Sequence, residues 1–261
     1  MQKKSSVTYF RIILLGSGNV ATQLGLALRQ NGLHIAQVYS PHSKNAKALA
    51  SQLKARPVSA INKIEKNADL YIIAVKDDAI AMLASKLKLK DRLVVHTSGS
   101  VGIDALKPAS ENIGVLWPLQ TLSVKRPITW RKTPLCLEAN TKAGKSLLEK
   151  IARKVSNEVV WINTEERRLL HLAAVFASNF SNQMYVIAEK LLKKKKIPFT
   201  LLHPLILETA LKSLDIGPVA AQTGPASRKD TKTLKKHLKM LSDDKNFRQL
   251  YLSISKSIRE K

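Results

Sequence analysis

Gly16-Ser17-Gly18 is the stretch of this 261-residue chain whose residue types and spacing point most directly to chemistry. Four apolar residues, Ile12 to Leu15, run into it, and a helix-type segment from Val20 to Arg29 leaves it, ending at Asn31-Gly32. Strand, glycine turn and helix in this order are the pattern that binds the pyrophosphate of a dinucleotide, although strand-to-helix turns elsewhere use glycine as a plain structural turn. Gly16 permits the tight turn. Gly18 has no β-carbon, so a phosphate can approach the backbone, while Ala21 stands where a third glycine is usual and lets the helix pack close to the strand. The helix N-terminus then faces the phosphate charge. Ser17, Asn19 and Val20 complete the predicted phosphate-binding turn.

The loop after the second predicted strand bears on the ribose. An NAD site places an acid there for the 2′-hydroxyl, yet no Asp or Glu occurs between Gly16 and Glu65. Ser40, His42, Ser43 and Lys44 offer donors and a positive charge instead, which suit a 2′-phosphate and favour NADP over NAD. The same residues also make an ordinary polar turn, in which Ser43 is a helix N-cap or serves both roles. Ala74 and Val75 end a further strand and belong to the same predicted cofactor site. Asp77 and Asp78 follow; adjacent carboxylates point in different directions and have no His nearby, so helix capping is expected and a metal is not. Ser98 and Ser100, in His96-Thr-Ser-Gly-Ser100, either line the nicotinamide or substrate pocket or, for Ser100, cap a helix. Trp117-Pro-Leu-Gln-Thr121 has the same ambiguity, with Gln120 and Thr121 as possible substrate contacts.

A third group of polar residues interrupts an apolar helical stretch. At about 100° per residue, His171, Ser178 and Asn182 fall within about 40° of one another, with Asn179 beside them. Buried polar groups need partners, so this stripe is either a helix–helix hydrogen-bond network or a pocket wall. His171 reads equally as a structural histidine and as a general acid. Further on, Arg228 could clamp a carboxylate or phosphate, Asp230 could be a plain N-cap, and Gly224-Pro225 could merely turn the chain.

The elements that must position these residues alternate over residues 1–163. Strands are expected near 12–15, 35–39, 56–58, 69–75, 92–96, 113–116, 134–138 and 158–162, with helices at 20–29, 44–54 and 141–155 between them. Such alternation predicts an α/β fold, a mainly parallel doubly wound Rossmann sheet. Thr164 is the expected N-cap of a helix of roughly 30 residues that runs, unbroken by Pro or Gly, to about Lys196. Helices are expected at 204–214, 231–241 and 244–258, so residues 164–261 form an all-helical domain for substrate binding or dimerisation. The hydrophobic fraction of 44% and the lack of a long apolar run describe a soluble protein, and Met1 to Ser6 lead into the first strand without a cleavable leader. Cys136 is the single cysteine, which excludes an intramolecular disulfide and suits a cytoplasmic location. The net charge of +25 is spread, with 25 Lys/Arg against 10 Asp/Glu in residues 1–163 and 19 against 9 beyond. Aromatics are 5% and none interrupts Lys193 to Lys196, so nucleic-acid binding is not expected.

Taken together, the glycine loop, Ala74-Val75-Lys-Asp-Asp78, Thr97-Ser-Gly-Ser100, Pro118-Leu-Gln-Thr121, Ser178-Asn179-Phe180 and Thr223-Gly-Pro225 with Arg228, Asp230 and His237 resemble one family. It comprises uncharacterised bacterial Rossmann-like proteins with a C-terminal helical domain of unknown function, commonly labelled NADP oxidoreductases. The resemblance covers nearly the whole chain. It implies a fold similar to pyrroline-5-carboxylate reductase, ketopantoate reductase and the β-hydroxyacid dehydrogenases, and a homodimer formed through the helical domain. The last of these carry a Lys four residues before an Asn on the long helix; Asn179 matches that Asn, but Val175 stands at the Lys position. The reading is therefore an NADP-dependent oxidoreductase acting on a small carbonyl or imine, with His171 as proton donor and Asn179 orienting the substrate. The alternative is an NADP-binding sensor or scaffold without turnover.

Overall fold

A computed structural model describes residues 10–260 of the chain, so the reading of Met1 to Ser6 lies outside the described residues. Each apolar run of the first half becomes a strand. They are β1 (Arg11–Leu15), β2 (His34–Tyr39), β3 (Arg56–Val58), β4 (Leu70–Ile73), β5 (Leu93–His96), β6 (Ile113–Pro118), β7 (Leu135–Ala139) and β8 (Val159–Trp161). They make one sheet in the order β3-β2-β1-β4-β5-β6-β7-β8. Neighbours pair parallel except β6 with β7, which are antiparallel. The chain from Leu119 to Pro134 contains only a 3-10 turn and no crossover helix, so it returns beside β6 in the opposite direction.

Alternation along β1 shows why the sheet is covered on both faces. Ile12 and Leu14 pack with α1 (Asn19–Gln30), α2 (Ser43–Leu53) and, further along the sheet, α4 (Lys142–Val155). Ile13 and Leu15 turn to the other face, whose cluster includes Ile80, Leu83 and Ala84 of α3 (Asp77–Lys86). Successive side chains of a strand point to opposite faces, so a fully apolar strand requires helices on both. The strand order reverses between β1 and β4, and a doubly wound sheet opens its ligand crevice at such a point.

Two compact units divide at Ser178 and Asn179. The first therefore keeps α5 (Thr164–Ala174), whose N-cap is Asn163 rather than the expected Thr164. Asn163 accepts the Glu166 N–H and Glu166 bonds back, a complete capping box, which frees the Thr164 hydroxyl to donate to Glu138. The long helix is interrupted as well. Residues Val175–Phe180 are π-helical before α6 (Ser181–Lys193) resumes. A π turn advances less per residue than an α turn, so the uniform 100° step assumed for the stretch does not hold through Val175–Phe180.

The second unit adds α7 (His203–Ile216), α8 (Pro218–Ala221), α9 (Thr231–Met240) and α10 (Lys245–Arg259). Asp230 and Asp244 cap α9 and α10 through the N–H groups of Thr233 and Phe247. His237 Nδ1 and the Tyr251 hydroxyl lie 2.8 Å apart across the pair. Among the described residues no helix is long and apolar enough to cross a membrane.

Candidate functional site

The glycine loop sits at the carboxyl end of β1, against β4. Gly16 has φ +132°, a conformation closed to other residues, and its N–H donates to the Tyr39 carbonyl at 2.8 Å. A β-carbon on Gly16 would lie 2.0 Å from the Ala74 carbonyl oxygen, so Ala74 is the floor beneath the turn. Gly18 is different. Nothing lies within 4 Å of where its β-carbon would be, and it occupies the N-cap position of α1 with no side-chain cap on the helix. No acid occupies the first turn of α1. Uncapped N–H groups facing open space, with no competing carboxylate, fit a pyrophosphate.

Ser17 and Ser40 meet at 3.0 Å between their hydroxyls. Ser40 is only 2% exposed, so it ties the β2 loop to the glycine loop. Ser43 and Lys44 are exposed at the start of α2, whose N-cap position is His42 with no side-chain hydrogen bond. Ser43 therefore does not cap the helix, and both side chains are open to a ligand. Among the described residues Lys44 makes no ion pair.

The loops after β4 and β5 are joined. The Ser100 hydroxyl donates to Asp77, while the N-cap position of α3 is Lys76, without a side-chain cap. Asp77 binds a neighbouring loop instead of its own helix. Ser100 caps no helix either; the Ser98 hydroxyl accepts the N–H groups of Ser100 and Val101, each at 3.1 Å. Ser98 is buried at 6% exposure and shapes this turn from inside.

Arg167, fully buried in the first turns of α5, fixes the turn from behind. Its guanidinium donates to the carbonyls of Ser98 and Val101 and to Glu138 of β7 at 2.7 Å. Burial lowers its pKa from the ordinary arginine value, and the Glu138 carboxylate counters that by favouring the charge. Arg168 beside it donates to the Ser100 carbonyl at 2.9 Å. One helix thus holds three carbonyls of the Ser98–Val101 turn.

His171 lies one turn after Arg167 and rests on the same loop. Its ring meets Trp117, at the end of β6, edge to face with centroids 5.7 Å apart. A β-carbon on Gly99 would stand 2.8 Å from His171 Nδ1 and 2.9 Å from Trp117, so this glycine makes room for the imidazole. His171 is half-buried and keeps an open side. The neighbouring His96, at the end of β5, is fully buried and accepts the Ser98 N–H on Nδ1 at 3.2 Å. Burial lowers its pKa to about 4, and the nearby Arg167 charge acts in the same direction. His96 is thus a neutral structural histidine.

The structure gathers Gly16, Ser17, Gly18, Ser40, Ala74, Val75 and Ser98 on loops at the carboxyl end of the sheet, with Asn19 and Val20 opening α1 and His171 beside the β5 loop. Asn179 begins the second unit, exposed within the π-helical segment, and is described only there. Gln120 and Thr121 are exposed, and the Gln120 side chain accepts the Thr121 N–H. Among the described residues no three His, Cys, Asp or Glu side chains cluster as a metal site. Sequence reasoning missed Arg167, Glu138 and Gly99. In Thr164-Glu-Glu-Arg-Arg168 a charged run looks like a solvated first turn. The signal available was spacing: Arg167 is four residues before His171 and so shares its helix face.

Residues 4–120 match the model of a Rossmann-like domain, and residues 133–258 match a domain of unknown function (DUF2520). No curated protein matches the chain. Among solved structures, a "putative NADP oxidoreductase" from Bacteroides fragilis is 39% identical, covering 97% of this chain and 99% of its own, with a TM-score of 0.92. A protein from Thermotoga maritima is 25% identical over 95% of this chain and 98% of its own, with a TM-score of 0.79. An imine reductase from Myxococcus stipitatus, solved with NADP+, shares the fold at 14% identity, 96% and 93% coverage and a TM-score of 0.66.

Proposed function

The chain belongs to the family that joins a Rossmann-like domain to DUF2520, and we propose that it is an NADP-dependent oxidoreductase acting on a small carbonyl or imine. The observation that carries this reading is His171, held on Gly99 and Trp117 at the end of the sheet that bears the glycine loop. Bound there, the nicotinamide would supply or accept hydride. Gly16 to Val20 would hold the dinucleotide's pyrophosphate through the α1 N-terminus, and Ser43 and Lys44 would hold the 2′-phosphate. Ala74, Val75 and Ser98 wall the site. His171 would donate the proton that a C=O or C=N takes up on reduction. The relative from Bacteroides fragilis bears the name NADP oxidoreductase, which supports the cofactor class.

In a panel of small imines, aldehydes and keto acids, NADPH oxidation should appear with at least one compound. His171→Ala should lower kcat by about 100-fold with little change in the KM for NADPH, the usual scale of a lost general acid. In the same assay Lys44→Glu should cut the preference for NADPH over NADH by about tenfold or more. Unchanged turnover in His171→Ala sinks its role. NADPH binding without turnover of any panel member would favour the sensor reading.

A homodimer through the second unit completes the proposal. No residue of α7 is buried although Leu205, Leu207, Leu211, Leu214 and Ile216 lie along it, Leu214 being 82% exposed. An apolar helix left open to water calls for a partner. Sedimentation should give twice the chain mass of 28.9 kDa, and Leu207→Glu/Leu214→Glu should give the chain mass alone. The lone, buried Cys136 suits a reducing cytoplasmic location, which fractionation would test.

A further inference from the structure

The amino end of the sheet, opposite the glycine loop, carries a cleft that the proposed reaction does not use. It holds about 630 Å3 and is lined by Lys66, Lys88, Lys90, Arg92 and Lys107. Asp91 and Glu111 are the acids of its lining. A second cleft of about 340 Å3 shares Lys66 and Lys88 and adds Lys86. These residues precede β4, β5 and β6, so a strand length of about 13 Å or more separates them from the carboxyl-end loops.

The cleft is preformed. The buried Ser110 hydroxyl donates to the carbonyls of Lys90 and Arg92 at 2.7 and 2.6 Å, and the Glu111 N–H donates to the Lys90 carbonyl at 2.8 Å. Two loops are thereby stitched together under the cations. Lys107 is paired with Asp104 at 3.0 Å, whereas Lys66, Lys88, Lys90 and Arg92 make no ion pair among the described residues. Four unpaired cations around one concavity repel one another, and a ligand with several adjacent negative charges relieves that repulsion.

We propose that this cleft binds a small ligand carrying clustered phosphates, at a site separate from the dinucleotide. Its volume lies in the range of about 300–1,000 Å3 typical of small-molecule sites. Its lining contains no aromatic side chain on which a base could stack, which argues against single-stranded nucleic acid.

Calorimetry with inorganic tripolyphosphate tests the site, on protein saturated with NADPH and at about 0.15 M salt to screen the diffuse field. Two variants of equal charge change are compared: Lys88→Glu/Lys90→Glu in the cleft, and Lys194→Glu/Lys195→Glu after α6. The cleft variant should bind about tenfold or more weakly, and the distant variant within about twofold of the parent. Equal weakening in both would assign the binding to overall charge and overturn the site. So would an absence of binding, or duplex DNA binding tighter than tripolyphosphate with the same dependence on Lys88 and Lys90.

Discussion

Gly16→Ala should unfold at a temperature lower by about 10 °C and fail to bind NADPH, whereas Gly18→Ala should fold normally and bind about 100-fold more weakly. The contrast follows from what each new methyl group meets. At Gly16 it must adopt φ +132° and occupy a point 2.0 Å from the Ala74 carbonyl oxygen and 2.7 Å from its carbon. Both obstacles are backbone, so the carboxyl ends of β1 and β4 have to part. Backbone strain of this kind costs about 1–3 kcal/mol before the collision is counted, and about 3–5 kcal/mol in all lowers the melting temperature of a domain this size by about 10 °C. At Gly18 φ is −81° and the methyl group meets nothing within 4 Å. The cost there falls only on a phosphate that needs the same space. Thermal unfolding of the ligand-free variants and NADPH titration separate the two roles. A Gly18→Ala protein that binds NADPH like the parent would remove the phosphate from this loop.

Arg167→Met should lower the melting temperature by a similar amount, although the residue touches no predicted ligand. The substitution removes donors to the Ser98 and Val101 carbonyls and strands Glu138, whose side chain is 16% exposed. Breaking a buried pair from one side costs about 3–5 kcal/mol, which again corresponds to about 10 °C. Arg167→Lys keeps the charge but has no planar fork to reach all three acceptors, and falls between Met and the parent. Glu138→Gln in the Arg167→Met background restores part of the loss, and the double-mutant cycle gives a coupling of about 1–3 kcal/mol. Amide exchange should quicken at Ser98 to Val101, the turn that supports His171. A melting temperature within about 2 °C of the parent and unchanged exchange would show that the ion pair does not hold this turn.

Much of this architecture was legible because its signals are local. Apolar runs bounded by turns placed the central strands β1, β4, β5 and β6 to within a few positions, since a strand covered on both faces must be apolar throughout. The same locality made Gly16 and Gly18 readable, and Asp230 as an N-cap. Thr164 and Asp77 were misjudged as caps for the opposite reason. Each had a stronger partner distant in sequence, Glu138 for Thr164 and Ser100 for Asp77, and a hydrogen-bonding side chain takes the acceptor or donor that folding brings within reach.

The sequence alone determined the strand–glycine–helix unit, the alternation that builds a doubly wound sheet, and the absence of an acid where an NAD ribose would be held. Those features depend on backbone conformation and on periodicity, which neighbouring residues dictate. Only the tertiary structure decided that Arg167, four residues ahead of His171, is a buried clasp on the β5 loop, and that Gly99 exists to admit the imidazole. It also decided that Val175–Phe180 are π-helical rather than part of one uninterrupted α-helix. The clasp and the glycine depend on contacts distant in sequence, as between Arg167 and Ser98 across 69 residues, and no pattern along the chain records which charge will find its partner indoors.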